Sequence, residues 1–338
     1  MPLHALPSAD QRYVRFADHL RQTFGCRVHK VSLDVGFTCP NRDGTVAAGG
    51  CIYCNNTSFS PGNRRLSVTE QLQQGKRFLR QRYGAQKFIA YFQAYTNTYG
   101  DVQHLRDLYD AALASEDIVG LAIGTRPDCV PEPVLDLLAD YAARTYLWLE
   151  LGLESGHDQT LVFLNRGHTV AAFDDAVRRA QQHQLRLCAH VILGLPGESG
   201  ADMLATARYL AALRLDAVKL HHLHVVRHTV LEKLYHRGEV PLLSLEDYAS
   251  LVVDCLEVLP PDMVIMRLMG DAPRDLLVAP TWSLDKRLAL QRIEQELERR
   301  ETYQGKYYNA LVPSGATDGP ERSAVSAQGV ALPRGRGC

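Results

Sequence analysis

Apolar and polar positions alternate in blocks along most of this chain of 338 residues. The stretch "VHKVSLDV" at 28–35 reads as a strand. A helix follows over about 67–84, where Ser67 and Glu70 form a capping-box pattern and Gly84 stands where a helix would stop. The pattern then repeats. Strands are predicted at 87–93, 118–124, 146–153, 186–194 and 217–226. Helices are predicted at 101–114, 133–144, about 158–184 and 201–213. Val102, Leu105, Leu108 and Ala112 share one face of the 101–114 helix. Several strands, such as "IVGLAIG", are apolar without interruption, as parallel strands covered on both faces should be.

Six strand–helix units with right-handed crossovers build a parallel sheet that curls toward a barrel. Six fall short of the eight that close one, so the expected α/β fold is a partial, open (βα)6 barrel. A doubly wound sheet is the alternative that periodicity does not separate from it. The expected divisions are an N-terminal helix in 1–27, a core barrel at 28–240 and a C-terminal α-rich extension at 241–312 that completes the site. The extension shows a helix at 244–258, a short strand in "MVIMRLMGD" and a charged helix at 283–302. From Pro313 to the end large apolar residues nearly vanish, the composition of a disordered tail.

Composition adds little beyond the class. Hydrophobic residues make up 46% and charged ones 22%, as in a soluble globular protein, and the net charge of −1 favours no polyanion. No basic-then-apolar leader opens the chain, and no apolar run approaches the ~20 residues of a membrane span. The expected compartment is the cytoplasm, without a membrane partner. Eight cysteines in a reducing compartment read as metal-binding, catalytic or buried thiols, not as a disulfide framework. Cys26, Cys129, Cys188, Cys255 and Cys338 are scattered singly, and Cys188 and Cys255 read as core residues.

The other three stand together. "FTCPNRDGTVAAGGCIYCNN" places Cys39, Cys51 and Cys54 in the loop after the first strand. Ligand sites of parallel sheets collect at the carboxyl ends of the strands. There this loop would meet "QAYTNTYG", "TRPDC", "ESGHD", "LPGES" and "KLHHLH". A zinc-stabilised, non-enzymatic scaffold would need a fourth ligand, with Cys26 or His29 as candidates. A [4Fe–4S] cluster held by three thiolates instead of the usual four would leave one iron open to a substrate or cofactor.

Further polar residues mark the same chamber. Glu150 and Glu154 are evenly spaced along the fourth strand and should both point into the barrel. Alternation in "KLHHLHVVRH" puts Lys219 and His221 on one face and His222 and His224 on the other. Arg126 and Asp128 of "TRPD", and Arg267 and Asp271 of "RLMGD", join Glu150, Lys219 and His221 as candidate substrate contacts. "RFLRQRYGAQK" and "KRLALQRIEQELERRETYQGKYY", the latter ending in Tyr303, Tyr307 and Tyr308, offer the cations and aromatics that RNA contacts use. Glu294, Glu296, Glu298 and Glu301 make an ordinary solvated helix the competing reading of the second stretch.

In this order the motifs resemble the radical S-adenosylmethionine (SAM) superfamily over about residues 28–230. The resemblance implies a [4Fe–4S] cluster on Cys39, Cys51 and Cys54 that reductively cleaves SAM to a 5′-deoxyadenosyl radical. Tyr53, just before the last cysteine, matches the family's aromatic residue, and the long first gap is similar to that of the Elongator catalytic subunit's branch. The resemblance also implies SAM contacts. Gln93, Ala94 and Thr96 would lie by the methionine amino group, Glu154 by the ribose, Arg166 by the methionine carboxylate and His190 beside adenine. Helix capping is the bland alternative for Arg166. Relatives such as oxygen-independent coproporphyrinogen oxidase carry a glutamate where this chain has Gly124, so no role passes to that position. The motif order is most similar to a bacterial subgroup called YhcC-like, whose Elongator-like neighbours act on the wobble uridine of transfer RNA. The implied partners are transfer RNA and an electron donor such as flavodoxin or ferredoxin. A small molecule or a protein side chain is the alternative substrate.

Overall fold

The computed structural model describes residues 11–58, 60, 62 and 64–308. Its strands are β1 Val28–Leu33, β2 Lys87–Phe92, β3 Ile118–Thr125, β4 Tyr146–Glu154, β5 Leu187–Leu193, β6 Ala217–His222, β7 Val225–Val226, β8 Val264–Arg267 and β9 Leu277–Ala279. Its α-helices are α1 Phe16–Phe24, α2 Val68–Tyr83, α3 Val102–Leu113, α4 Glu132–Arg144, α5 Asp158–Phe163, α6 Val170–Gln182, α7 Gly200–Ala212, α8 Val230–His236, α9 Leu245–Val258 and α10 Lys286–Arg299. The tail expected at 313–338, with Cys338, lies outside the described residues.

Seven strands form one sheet in the order β1-β2-β3-β4-β5-β6-β8, with every neighbouring pair parallel. The order never reverses, so there is no switch point of the doubly wound kind. The sheet is the curled, open half-barrel expected, enlarged by a seventh strand from the C-terminal part. Several helices start where short polar side chains cap them. Ser67 and Glu70 close a reciprocal capping box on α2, and Ser199 and Asp202 do the same on α7.

Two boundaries differ from the sequence reading. The strand expected at 217–226 ends at His222, because Val225 and Val226 leave the sheet to pair antiparallel with β9. The helices expected over 158–184 are α5 and α6, parted by a turn holding Arg166 and Gly167. The charged helix starts at Lys286, after Asp285 has capped it from outside.

The core is layered. Between the sheet and its outer helices lie Leu33, Phe92, Leu121, Leu149, Leu151 and Phe173, all essentially inaccessible. Inside the half-barrel, Ile89, Trp148, Cys188, Ala217 and Val264 pack with Leu20 and Phe16 of α1. Helix α1 thereby plugs the amino-terminal end of the barrel. The carboxyl end is left open, and the chemistry gathers there.

Candidate active site

The inward residues become more polar from one end of the barrel to the other. Above the apolar plug lies a charged layer on the next inward positions: Lys30, Tyr91, Glu150, His190 and Lys219. Glu150 is fully buried and takes ion pairs from both Lys30 and Lys219, with His190 Nε2 2.9 Å from its other face. Lys219 Nζ also donates to the Tyr91 hydroxyl at 2.9 Å. Burial would push the Glu150 carboxyl up, but Lys219, Lys30 and His190 hold it well below the usual range. Burial pulls the Lys219 ammonium down to about 8 against the attraction of Glu150, so it stays charged at neutral pH. His190 is lowered to about 4, chiefly by burial and then by Lys219, and is neutral.

A cavity of about 230 Å³ opens above this layer. Cys39, Cys51, Tyr53 and Cys54 line one side, and Gln93, Thr96, Arg126, Glu154, Arg166 and His190 continue the wall. Lys219, His221, Arg267 and Asp271 line the other side. Most residues singled out from the sequence therefore meet in one chamber.

Three do not reach its surface. Ala94 is buried behind the wall. Asp128 stands off the chamber, its carboxylate occupied by Arg126 at 2.9 and 2.7 Å. Glu150 lies beneath the floor, with its oxygens committed to Lys30, Lys219 and His190. As substrate contacts, Asp128 and Glu150 are corrected to positioning groups for Arg126 and for the floor. Glu154 faces the chamber on the same side of β4 as Gly152, as alternation expects, and the pairing with β5 shifts register between the two, with Glu154 at φ +72°.

Arg166 is not a helix cap. Its Nη2 donates to Gly152 O at 2.9 Å and lies 3.2 Å from Glu154, while Nη1 approaches Cys51 Sγ at 3.6 Å. Gly152 makes room for this arrangement, since a Cβ there would lie 2.5 Å from Arg166 Nη2 and 2.6 Å from Glu154 Oε1. The buried Arg166 Nε–H has no acceptor among the described residues. Such a donor suits an anionic ligand group.

Sequence reasoning missed Lys30, Tyr91, Asn41 and Arg42. The first two occupy inward positions of β1 and β2, and a charged or hydroxylated residue at such a position was the available signal. Arg42 lines the chamber and donates to Cys54 O at 2.7 Å. Asn41 Nδ2 points to Cys51 Sγ at 3.5 Å and Asn56 Nδ2 to Cys54 Sγ at 3.6 Å.

The two stretches expected to contact RNA lie elsewhere. Residues 77–87 run into the start of β2, at the end of the sheet opposite the chamber. Along α10, Arg299 and Arg300 pair with Glu296, Arg292 with Glu246 and Glu294 with Arg15. Tyr303, Tyr307 and Tyr308 follow α10 toward the start of β8, where Gln304 bonds Met263 O. Arg15–Glu294 links this part to the N-terminal segment, while Tyr303 and Tyr307 are exposed.

A model of the radical SAM superfamily matches residues 39–210, half of the chain, and a radical SAM C-terminal domain model matches 215–299. The chain belongs to the radical SAM superfamily. It is 42% identical to Protein YhcC of Escherichia coli (strain K12) over 269 residues, covering 79% of this chain and 86% of that protein. It is 30% identical to Elongator complex protein 3 of Homo sapiens over 179 residues, covering 51% of this chain and 32% of that one. The archaeal Methanocaldococcus infernus Elp3 with an N-terminal deletion shares the fold, with a TM-score of 0.63 at 17% identity over 84% of this chain and 68% of that one. These likenesses join the chain to YhcC-like proteins within the Elongator-like branch.

As a radical SAM enzyme it uses a [4Fe–4S] cluster and SAM. The residues present fit both. Three thiols open on one cavity, two of them beneath side-chain N–H donors of the kind that stabilise cluster sulfur. Among the described residues no three His, Cys, Asp or Glu side chains converge tightly enough to hold a single ion. Thiols spread around a cavity suit a multi-iron cube better than one zinc. Burial and the neighbouring Cys51 push the Cys54 thiol up to about 11, so cationic iron would supply the drive for its deprotonation.

Proposed function

We propose that this radical SAM enzyme modifies the side chain of a uridine base in RNA, with the wobble position of transfer RNA as its site. The observation that carries the reading is a chamber with two chemically distinct halves. One half holds Cys39, Cys51 and Cys54 with Thr96, Glu154 and Arg166; the other holds His221, His222, Arg267 and Asp271. The likeness to Elongator complex protein 3 and the branch's known use of wobble uridine support the choice of substrate.

Cys39, Cys51 and Cys54 would hold the cluster, and Arg166, through its unpaired Nε–H, would take the methionine carboxylate of SAM. Glu154 would keep Arg166 in place and turn toward the ribose, with Thr96 beside the amino group and neutral His190 beside adenine. Bound there, cluster and SAM would supply the radical chemistry that removes a hydrogen atom from the substrate. Lys219, Tyr91 and His190 form a floor whose positions are fixed by buried Glu150, which keeps the reacting groups in register. A base flipped out of its strand would enter from the open carboxyl end. No described helix is long and apolar enough to cross a membrane, and all described cysteines are free thiols. We place the enzyme in the cytoplasm, served by an electron donor such as flavodoxin or ferredoxin.

The test is 5′-deoxyadenosine production by anaerobically reconstituted protein with SAM and dithionite. Bulk transfer RNA from a strain lacking the protein should stimulate it. Cleavage indifferent to that RNA would refute the RNA reading and point to a small molecule or protein side chain. No cleavage by protein with a full iron load would refute the cluster assignment itself.

A further inference from the structure

Buried polar atoms without partners are rare in folded proteins, and each calls for a ligand or a reason. Three such atoms stand at the end of β6: Nε2 of His221 and both ring nitrogens of His222. His222 is only 2% exposed, and both residues line the chamber.

The ring of His222 is firmly held. Trp282 lies 4.5 Å from it and Tyr248 5.5 Å, centroid to centroid. The polar atoms of these neighbours are satisfied, Trp282 Nε1 by Leu243 O at 3.1 Å and the Tyr248 hydroxyl by Leu268 O at 2.6 Å. Only the imidazole between them is left unpaired. The loop after β8 closes over this wall at Gly270, where a Cβ would lie 3.4 Å from His221 Nδ1 and 3.2 Å from His224.

Arg267 lies 3.7 Å from Asp271, which also takes Lys286 at 2.9 Å, and Glu150 is shared by Lys219 and Lys30, so the carboxylates of this wall are committed. Burial lowers His222 to about 3 and His221 well below its ordinary value, so both imidazoles are uncharged. A neutral imidazole offers one N–H donor and one nitrogen acceptor. Two of them in succession match an edge on which donors and acceptors alternate. The two imidazoles themselves bring no charge to attract an anion.

We propose that His221 and His222 form the recognition edge for a neutral planar heterocycle whose own edge carries an N–H between two carbonyls, as uracil does. The inference rests on the uridine reading of the chamber and assigns the residues that would select that base.

The test uses the anaerobically reconstituted holoenzyme with SAM and measures uridine binding by equilibrium dialysis. Uridine should bind saturably, and 3-methyluridine, which lacks the edge N–H, about tenfold more weakly, the effect of one lost buried hydrogen bond. His222→Phe keeps the ring packing against Trp282 and Tyr248 and should weaken uridine about tenfold. His222→Gln, which restores a donor and an acceptor, should recover part of that loss. Iron content and circular dichroism confirm that each variant is folded and loaded. Equal binding of uridine and 3-methyluridine, unchanged binding by His222→Phe, or no saturable uridine binding by the wild type would each overturn the proposal. Uridine binding as expected, with SAM cleavage indifferent to transfer RNA, would leave this edge standing and remove the transfer RNA substrate.

Discussion

Cys51 lies beneath two donors, Asn41 Nδ2 and Arg166 Nη1, at 3.5 and 3.6 Å. Cys51→Ala should lose most of its iron and the broad visible absorption of the cluster after anaerobic reconstitution. Full iron with full activity would refute the ligand assignment. Cys188→Ala, in the apolar interior of the barrel, should cost roughly 1 kcal/mol in urea unfolding and leave iron content unchanged. Glu150 makes a pH-dependent prediction. Its folded pKa lies well below the ordinary 4.5, so the folded protein keeps the carboxylate ionised where the unfolded chain has bound a proton. That stability is fully present above the unfolded value and lost as pH falls through the lower folded one. Glu150→Gln leaves Lys30 and Lys219 without their counter-charge and should cost about 3–5 kcal/mol at pH 7. Unfolding curves at pH 7 and below 4.5 should show the gap to wild type narrowing; a constant gap would contradict the linkage. The cysteine trio was legible because its spacing is local. The true depth of Glu150 was not, because inward direction follows from alternation while depth depends on what the other strands bring.

Adjacent strands constrain single residues most tightly at Gly120. A Cβ there would lie 2.0 Å from Tyr146 O, a backbone atom of β4 that moves only if β3 and β4 separate. Gly120→Ala should therefore destabilise by about 3 kcal/mol, read as a clear fall in Tm by circular dichroism. An unchanged Tm would mean that the strand pair yields more easily than its register implies. Helix boundaries were legible where side chains within one turn define them, as Ser67 and Glu70 do for α2. The end of β6 was not. "LHHLHVV" keeps alternating past His222, and only β9, some fifty residues later in the chain, draws Val225 and Val226 away. The ion pairs of the basic stretches were not legible for a related reason, since their partners Glu246 and Asp117 come from other elements.

The whole molecule is a half-barrel with one end plugged and one end chemical. Leu20 of α1, 2% exposed, packs among residues of the barrel interior, and Phe16 meets Trp148 edge-on at 6.2 Å. Leu20→Ala should cost about 2–5 kcal/mol. Loosening of the plug should also shift Trp148 emission to the red, while retained stability and emission would show that α1 adds little to the closure. The charged layer above the plug separates this apolar end from the chamber, so buried cations are kept where Glu150 can pair them.

By itself the sequence determined the strand–helix rhythm, the helix caps and the three thiols on the loop after β1, because each is set by residues within a turn or a short loop. It also determined the order of chamber-lining loops, since parallel strands deliver their carboxyl ends to one side. The tertiary structure decided what depends on distant segments meeting. It added β8 as a seventh strand and placed α1 inside the barrel. It sank Glu150 below the floor, tied the basic stretches into ion pairs and left His221 Nε2 and both His222 ring nitrogens without partners among the described residues. Burial and pairing are sums over all neighbours in space, and no local pattern contains them.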